Sequence, residues 1–395
     1  MRGEHHRLLT ASSRTAFSRR WRCACCRAST DYHAIPDPTC KYGAPNPTCT
    51  QYNIFLTGLV YSAIGIAPSK DNFRSSSVQQ INGQREANPL LQALVSGLSC
   101  GPVGPSDQLG TMDFPTVHHI CRGPDGYLNK PDMPAAPLDL TFQLGFEDVA
   151  EGLDSLPFVQ HAWSEISTQG AEAAQRWNYV LAVDLKASVA VALQDLGLPA
   201  GSRHLVFEYF SECWRNQSAV EKGHCTFERG AGHTTTLTAL APIALAPGGV
   251  RGDGLAGMND SQARPFRYVL TAPIFEDGWV LLGETGKFFI ATTDRFSDLR
   301  TGAADAGPAL AVTVHGAESE RVTVELVAPA ALAAAGLSGA GGVSNSDAST
   351  GAIATEVVHC QLSAGGEAKL TCGGAGSSGT PCACAPAALA GSSAT

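Results

Sequence analysis

The stretch from Gly97 to Asp139 constrains this chain most, because different kinds of structure must stand on either side of it. An apolar run from Leu90 to Leu98 has the length and texture of a helix and stops at a Ser-Cys-Gly-Pro breaker. A short strand is expected around Pro102 and Val103, ending on the polar pair Ser106 and Asp107. A second helix is expected from Asp113 through His119. Gly123, Pro124 and Gly126 then enforce turns in an extended, proline-studded crossing. A helix, a strand ending on polar residues and a second helix form α/β syntax. After Leu140 the chain reads as strands almost to its end, so the stretch is a seam between an α/β part and a β part.

From Phe158 onward, short aromatic and β-branched runs alternate with Gly, Pro or polar turns. Such runs surround Trp163, Tyr179, Phe207, Tyr268 and Leu281, and another spans Lys287 to Thr293. Ala311–His315 and Arg321–Val327 alternate apolar and polar residues, as half-buried antiparallel strands do. Val357–Leu362, a Gly-Gly turn and Ala368–Cys372 read as a terminal hairpin. About ten strands with regular turns predict an antiparallel β-sandwich. Gly336–Asp347 and the tail after Gly373 are rich in Ala, Gly and Ser and read as disordered.

A chain of 395 residues is long enough for two domains, each with its own core. The formal net charge of -9 excludes a nucleic-acid partner, because no basic face is available to neutralise phosphates. No apolar run reaches the roughly eighteen residues of a membrane span. The longest candidate, Val327–Leu337, is alanine-rich and short. Among thirteen cysteines, the pairs Cys40/Cys49, Cys213/Cys225 and Cys360/Cys372 suit short disulfide loops. They favour an oxidising compartment, as do the sequons at Asn216 and Asn259, while thiols kept reduced in the cytosol remain the alternative. Residues 1–30 hold seven arginines and one acid, Glu4, without an apolar core of secretory length. That leader reads either as an organelle transit peptide or as a start that is not native, with residues 1–22 disordered.

The pattern G-P-V-x-x-S-D-x-x-G-x-x-D-F is carried by Gly101, Pro102, Val103, Ser106, Asp107, Gly110, Asp113 and Phe114. Pro124, Asp125 and Gly126 follow in P-D-G-x-L, and Asp139 and Phe142 in L-D-x-x-F. Together they resemble the end of the catalytic barrel in raffinose-synthase-like and α-galactosidase-like glycoside hydrolases. The resemblance covers roughly Cys26 to Cys372, apart from a loop near Arg229–Gln262. It implies an α/β plus all-β fold: an incomplete (β/α)8 TIM-type barrel over residues 23–145, followed by the β-sandwich over 146–375 and a disordered tail over 376–395. Only the last three βα units of such a barrel fit ahead of Asp139, where a closed barrel needs eight.

Two chemistries compete near the start. Cys23, Cys25, Cys26 and His33 offer metal-ligand atoms, but C-x-C-C is not the spacing that grips a tetrahedral zinc, and no second knuckle follows. No metal and no cofactor are therefore expected. Arg27 and Asp31 instead form R-x-x-x-D, which in the resembling family makes the aspartate the general acid/base and the arginine a sugar ligand. Glycoside cleavage needs a carboxyl group at the leaving oxygen. A neighbouring cation lowers a carboxyl pKa, so Arg27 suits sugar hydroxyls better than tuning that proton. Thr30 stands where relatives often carry a further aspartate, and Asp31 as a turn cap is the plainer alternative.

Lys70 and Asp71 then end the expected seventh strand, and Ser106 and Asp107 the eighth, all as substrate-binding residues; the plainer alternative for Lys70 and Asp71 is a solvated loop. The nucleophile of a retaining enzyme belongs on an earlier strand, and Glu4 is the only acid ahead of Arg27. The expectation is a carbohydrate-active protein related to hydrolases of α-galactosides but inactive as it stands. The alternative is a non-catalytic carbohydrate-binding or accessory β-sandwich. Other motifs carry less. Gly283–Lys287 lacks the glycine spacing of a phosphate loop and reads as a strand turn, and His118 and His119 lack the acidic partner of a zinc helix. Trp163 and Trp214 could stack on sugars but are read first as core residues.

Overall fold

The computed structural model describes residues 58–65, 68–70, 72–76, 88–123, 126–144, 158–168, 174–210, 235–237, 241–250, 265–302, 310–337, 353–373 and 382–387. Helix α1 (Pro89–Leu98) forms where the apolar run predicts it, with proline in its first turn and its C-cap at Ser99. Every residue of α1 is buried, Gln92 and Ser96 included. Gly97 brings it against the 287–293 segment, since a Cβ there would stand 2.5 Å from Phe289 Cε2. Helix α2 (Phe114–Ile120) is capped by Asp113, whose Oδ2 accepts the Thr116 N–H at 3.3 Å. Short helices also occupy 58–63 and 139–144.

α1 connects two segments that run side by side. Phe73 and Pro105 form a parallel bridge, the Phe73 N–H donating to Gly104 O (3.2 Å) and the Ser106 N–H to Phe73 O (2.8 Å). Gly101 permits the contact, because a Cβ there would lie 1.7 Å from Pro68 O. The α/β syntax thus survives in minimal form, as two parallel segments joined by a helix. The expected strand at Pro102–Val103 shrinks to that bridge, and among the described residues no barrel closes.

The rest is β. Strands β1 (Met133–Pro137), β2 (Phe158–Ile166), β3 (Gln175–Val183), β5 (His204–Glu208), β6 (Thr235–Leu237) and β8 (Phe266–Pro273) make an antiparallel sheet in the order β1-β2-β3-β8-β5-β6. β1 lies in the proline-rich crossing and pairs with β2, so this sheet begins ahead of the boundary expected at 145. Phe158, Ala162, Trp177, Tyr179, Tyr268 and Leu270 share one core with Leu91, Leu94 and Val95 of α1. The alternate residues Val159, Val180, Ala182, Val206 and Val269 join a second core. That core is closed by the ribbon of β4 (Val189–Val191) and β7 (Ile243–Leu245).

Two smaller antiparallel sheets complete the described chain. One orders β13 (Glu356–Gln361), β12 (Arg321–Val327) and β9 (Val280–Gly283). The other orders β10 (Phe296–Thr301), β11 (Leu310–His315), β14 (Glu367–Cys372) and β15 (Ala383–Pro386). Both contribute apolar residues to the principal core, Val322, Val324 and Leu326 from one and Val312, Val314 and Leu370 from the other. A short helix, α3 (Pro329–Ala334), follows β12, and no described helix is long and apolar enough to cross a membrane.

Three expectations are corrected. First, β13 and β14 are not a hairpin: β13 pairs with β12 and β14 with β11, so the turn between them carries the chain from one sheet to the other. Cys360 and Cys372 accordingly do not bond each other. Cys360 bonds Cys384, tying the two sheets together, and Cys372 bonds Cys382. Second, β15 lies inside the tail that composition marks as disordered; it is held by pairing with β14 and by both disulfides. Third, Lys287–Thr293 forms no strand. Its buried backbone is satisfied elsewhere: Phe288 N–H donates to His119 O (3.0 Å), Tyr268 Oη to Phe288 O (2.8 Å), Asn129 Nδ2 to Phe289 O (2.8 Å), and Tyr179 Oη to Ala291 O (2.7 Å). Side chains do the work of a ladder there, and a hydrophobic pattern cannot distinguish the two. The pairs Cys40/Cys49 and Cys213/Cys225, both sequons and the leader lie outside the described residues.

Candidate functional site

Of the six residues singled out for sugar chemistry, Arg27, Asp31 and Asp71 lie outside the described residues. The other three sit on the paired segments beside α1. Lys70 is buried; its Nζ donates to Asn72 O at 3.0 Å, and its N–H reaches Ser99 Oγ at 3.4 Å. Its ammonium is therefore spent on backbone two residues along. Ser106 is half-buried and its Oγ donates to Phe73 O at 3.2 Å. Asp107 Oδ1 accepts the Ser75 N–H at 2.8 Å, and Ser75 Oγ accepts the Asp113 N–H at 2.8 Å. Ser75 thus links Asp107 to the cap of α2. Lys70 and residues 72–75 are brought together with 106–113, with Ser106 and Asp107 partly open to solvent and Lys70 inside.

A second polar centre lies where the crossing enters the large sheet. Asp132 accepts the Glu165 N–H at 2.7 Å and the Thr293 hydroxyl at 2.5 Å. Burial pushes its carboxyl up to about 6, against the lowering effect of those hydrogen bonds. Cys100 is buried nearby, its Sγ 3.3 Å from Pro131 O, and burial raises its thiol to about 12, so it is inert as a nucleophile.

The third centre crosses the large sheet. His161 Nε2 lies 3.0 Å from Asn178 Oδ1, Asn178 Nδ2 donates to Thr271 Oγ1 at 2.8 Å, and Thr271 Oγ1 lies 3.2 Å from His204 Nδ1. The four residues come from β2, β3, β8 and β5, lie two positions from Val159, Val180, Val269 and Val206 on the face of the second core, and are all buried. Burial lowers both imidazoles to about 4, so they are neutral at physiological pH. Trp163 stacks on His161 with ring centroids 5.2 Å apart, and the Arg176 guanidinium lies 4.9 Å from the Trp163 ring centre while pairing with Glu165. Trp163 is therefore engaged with protein groups, but it is half-buried at the edge of the packing rather than the core residue expected. Sequence reading missed this row, although a polar residue on an otherwise apolar strand was its visible sign.

His119 packs into the principal core, stacked on Phe288 at 5.2 Å with its Nδ1 3.1 Å from Tyr209 Oη. Among the described residues, no group of three or more His, Cys, Asp or Glu side chains is placed to hold a metal ion. No protein-family model matches the chain, and no curated protein or solved structure matches it significantly.

Proposed function

We propose that the chain is a carbohydrate-active protein that binds α-galactosides at the edge formed by Lys70 and residues 72–75 with 106–113. Ser106 and Asp107 supply the polar contacts, with the Lys70 ammonium held on Asn72 O. Arg27, Asp31 and Asp71 complete the site in this reading, Arg27 on sugar hydroxyls and Asp31 in the position of the carboxylic acid that protonates the glycosidic oxygen in complete relatives, whose nucleophile this chain does not supply. The observation that carries the proposal is the parallel contact of Phe73 with Pro105 across α1. It sets two polar loops side by side, as ligand sites are set at the ends of parallel strands in α/β folds. The sequence resemblance supplies the substrate class.

The test is calorimetric titration with raffinose, alongside 4-nitrophenyl α-galactoside, which the chain is expected to bind without hydrolysing because one of the two carboxylates is missing. Loss of one hydrogen bond to sugar predicts that Asp107→Asn weakens binding by about tenfold, whereas Lys369→Ala on β14 leaves it unchanged. Absence of binding by the unaltered chain would overturn the proposal. Binding that Asp107→Asn leaves intact would move the sugar to the β-sheets and favour the non-catalytic reading.

A further inference from the structure

The solvent face of the four-stranded sheet holds an arrangement with no part in the sugar proposal. Ser297 on β10, His315 on β11 and Glu367 on β14 lie in line across three adjacent strands. Ser297 Oγ is 2.6 Å from His315 Nε2, and His315 Nδ1 is 3.4 Å from Glu367 Oε1. A hydroxyl hydrogen-bonded to one imidazole nitrogen, with a carboxylate at the other, is the arrangement that activates serine for nucleophilic attack.

The sheet dictates this alignment. Phe296 and Leu299 are buried on β10, which turns Ser297 outward; Val312 and Val314 are buried on β11, which turns Thr313 and His315 outward. His315 stands directly opposite Glu367 in the β11–β14 register. Two glycines close that corner. The Gly316 N–H donates to Gly366 O at 2.9 Å, and a Cβ on Gly366 would come within 2.4 Å of Gly316 O. Beneath the face, buried Arg295 donates through Nη1 to His315 O at 2.6 Å and holds that backbone in place. The side chains of His315 and Glu367 are 28% and 49% exposed, so a reagent from solvent reaches the group. Asp298 Oδ2, at 3.4 Å, is a longer competing acceptor for the Ser297 hydroxyl.

We propose that Ser297 is an activated nucleophile that takes acyl groups from small activated esters. Its oxygen bonds to the ester carbonyl carbon while its proton passes to His315 Nε2. The carbon–oxygen bond to the leaving alcohol then breaks, and that alkoxide takes the proton from Nε2, leaving an acyl-serine. Attack by water, deprotonated by the same nitrogen, releases the carboxylic acid and restores the hydroxyl. Glu367 is a positioning residue that holds the imidazole with Nδ1 protonated and Nε2 free to accept.

The test treats the full chain with 4-nitrophenyl acetate and, separately, with a fluorophosphonate, and maps adducts by peptide mass spectrometry. Acetyl or phosphonyl adducts are expected at Ser297 above every other serine. His315→Gln should slow labelling on the order of 10²-fold, the usual scale for loss of a general base, with the melting curve unchanged. Glu367→Gln should slow it by a smaller factor, and Glu367→Asp should restore part of the rate, which a merely structural carboxylate would not do. Absence of an adduct at Ser297, or equal labelling of His315→Gln and the unaltered chain, overturns the proposal.

Discussion

The row His161–Asn178–Thr271–His204 makes the fold acid-sensitive by an amount that can be worked out. A buried imidazole lowered from 6.5 to about 4 stays neutral in the folded chain while its unfolded counterpart takes up a proton. The stability it leaves intact above pH 6.5 is lost as the pH falls from there towards 4. Each histidine costs about 3 kcal/mol once the pH is below both values, and about 2 kcal/mol near pH 5. Asp132 acts in the opposite sense. Its carboxyl, raised to about 6, gains a proton in the folded chain first and stabilises the fold as the pH falls from there towards 3.8.

A single substitution separates these contributions. His204→Gln keeps a hydrogen-bonding group near Thr271 Oγ1 and removes the titration. Urea unfolding followed by tryptophan fluorescence, at steps from about pH 7.5 to about pH 5, gives the stability of both proteins. The variant starts below the unaltered chain by about 1 kcal/mol from the altered hydrogen bond. It then gains about 2 kcal/mol relative to it by pH 5, because every other group titrates alike in the two proteins. Parallel stability curves over that range would refute the reasoning, since His204 would then not be held neutral.

Three further outcomes follow from the packing. Replacing Cys360 and Cys384 together by serine opens a loop with a sequence separation of 24, and chain-entropy loss predicts a fall of about 3 kcal/mol in denaturant unfolding. Arg295 is buried between Glu284 (Nε–Oε2 2.9 Å) and Glu320 (Nη2–Oε1 2.9 Å) and also donates to Arg122 O, so Arg295→Met strands two carboxylates and costs about 3–5 kcal/mol in the same assay. Gly101→Ala drives a methyl group into Pro68 O and separates the two parallel segments. Amide exchange at Phe73 and Ser106 then accelerates, while exchange across β2 and β3 stays slow.

What the sequence determined by itself is local. The apolar run ending in Ser-Cys-Gly-Pro places α1, Asp113 ahead of Phe114-Pro115 starts α2, and period-two alternation marks β11 and β12 to within a residue. Lys70 and Ser106–Asp107 are singled out by a resemblance to barrel strand ends, whereas the contact that sets their loops side by side is a single bridge between Phe73 and Pro105. Tertiary structure decided everything that depends on residues far apart in the chain. The Gly365–Gly366 turn is the same in a hairpin and in a crossing between sheets; only the partners of β13 and β14 distinguish them, and those partners choose Cys384 for Cys360. Phe288 to Ala291 has a strand's hydrophobicity, yet tyrosine and asparagine side chains from distant segments took up its carbonyls. The buried row from His161 to His204, and the line from Ser297 to Glu367, exist only because neighbouring strands fall into one register. Burial energy is set residue by residue, whereas pairing is set by which surfaces meet.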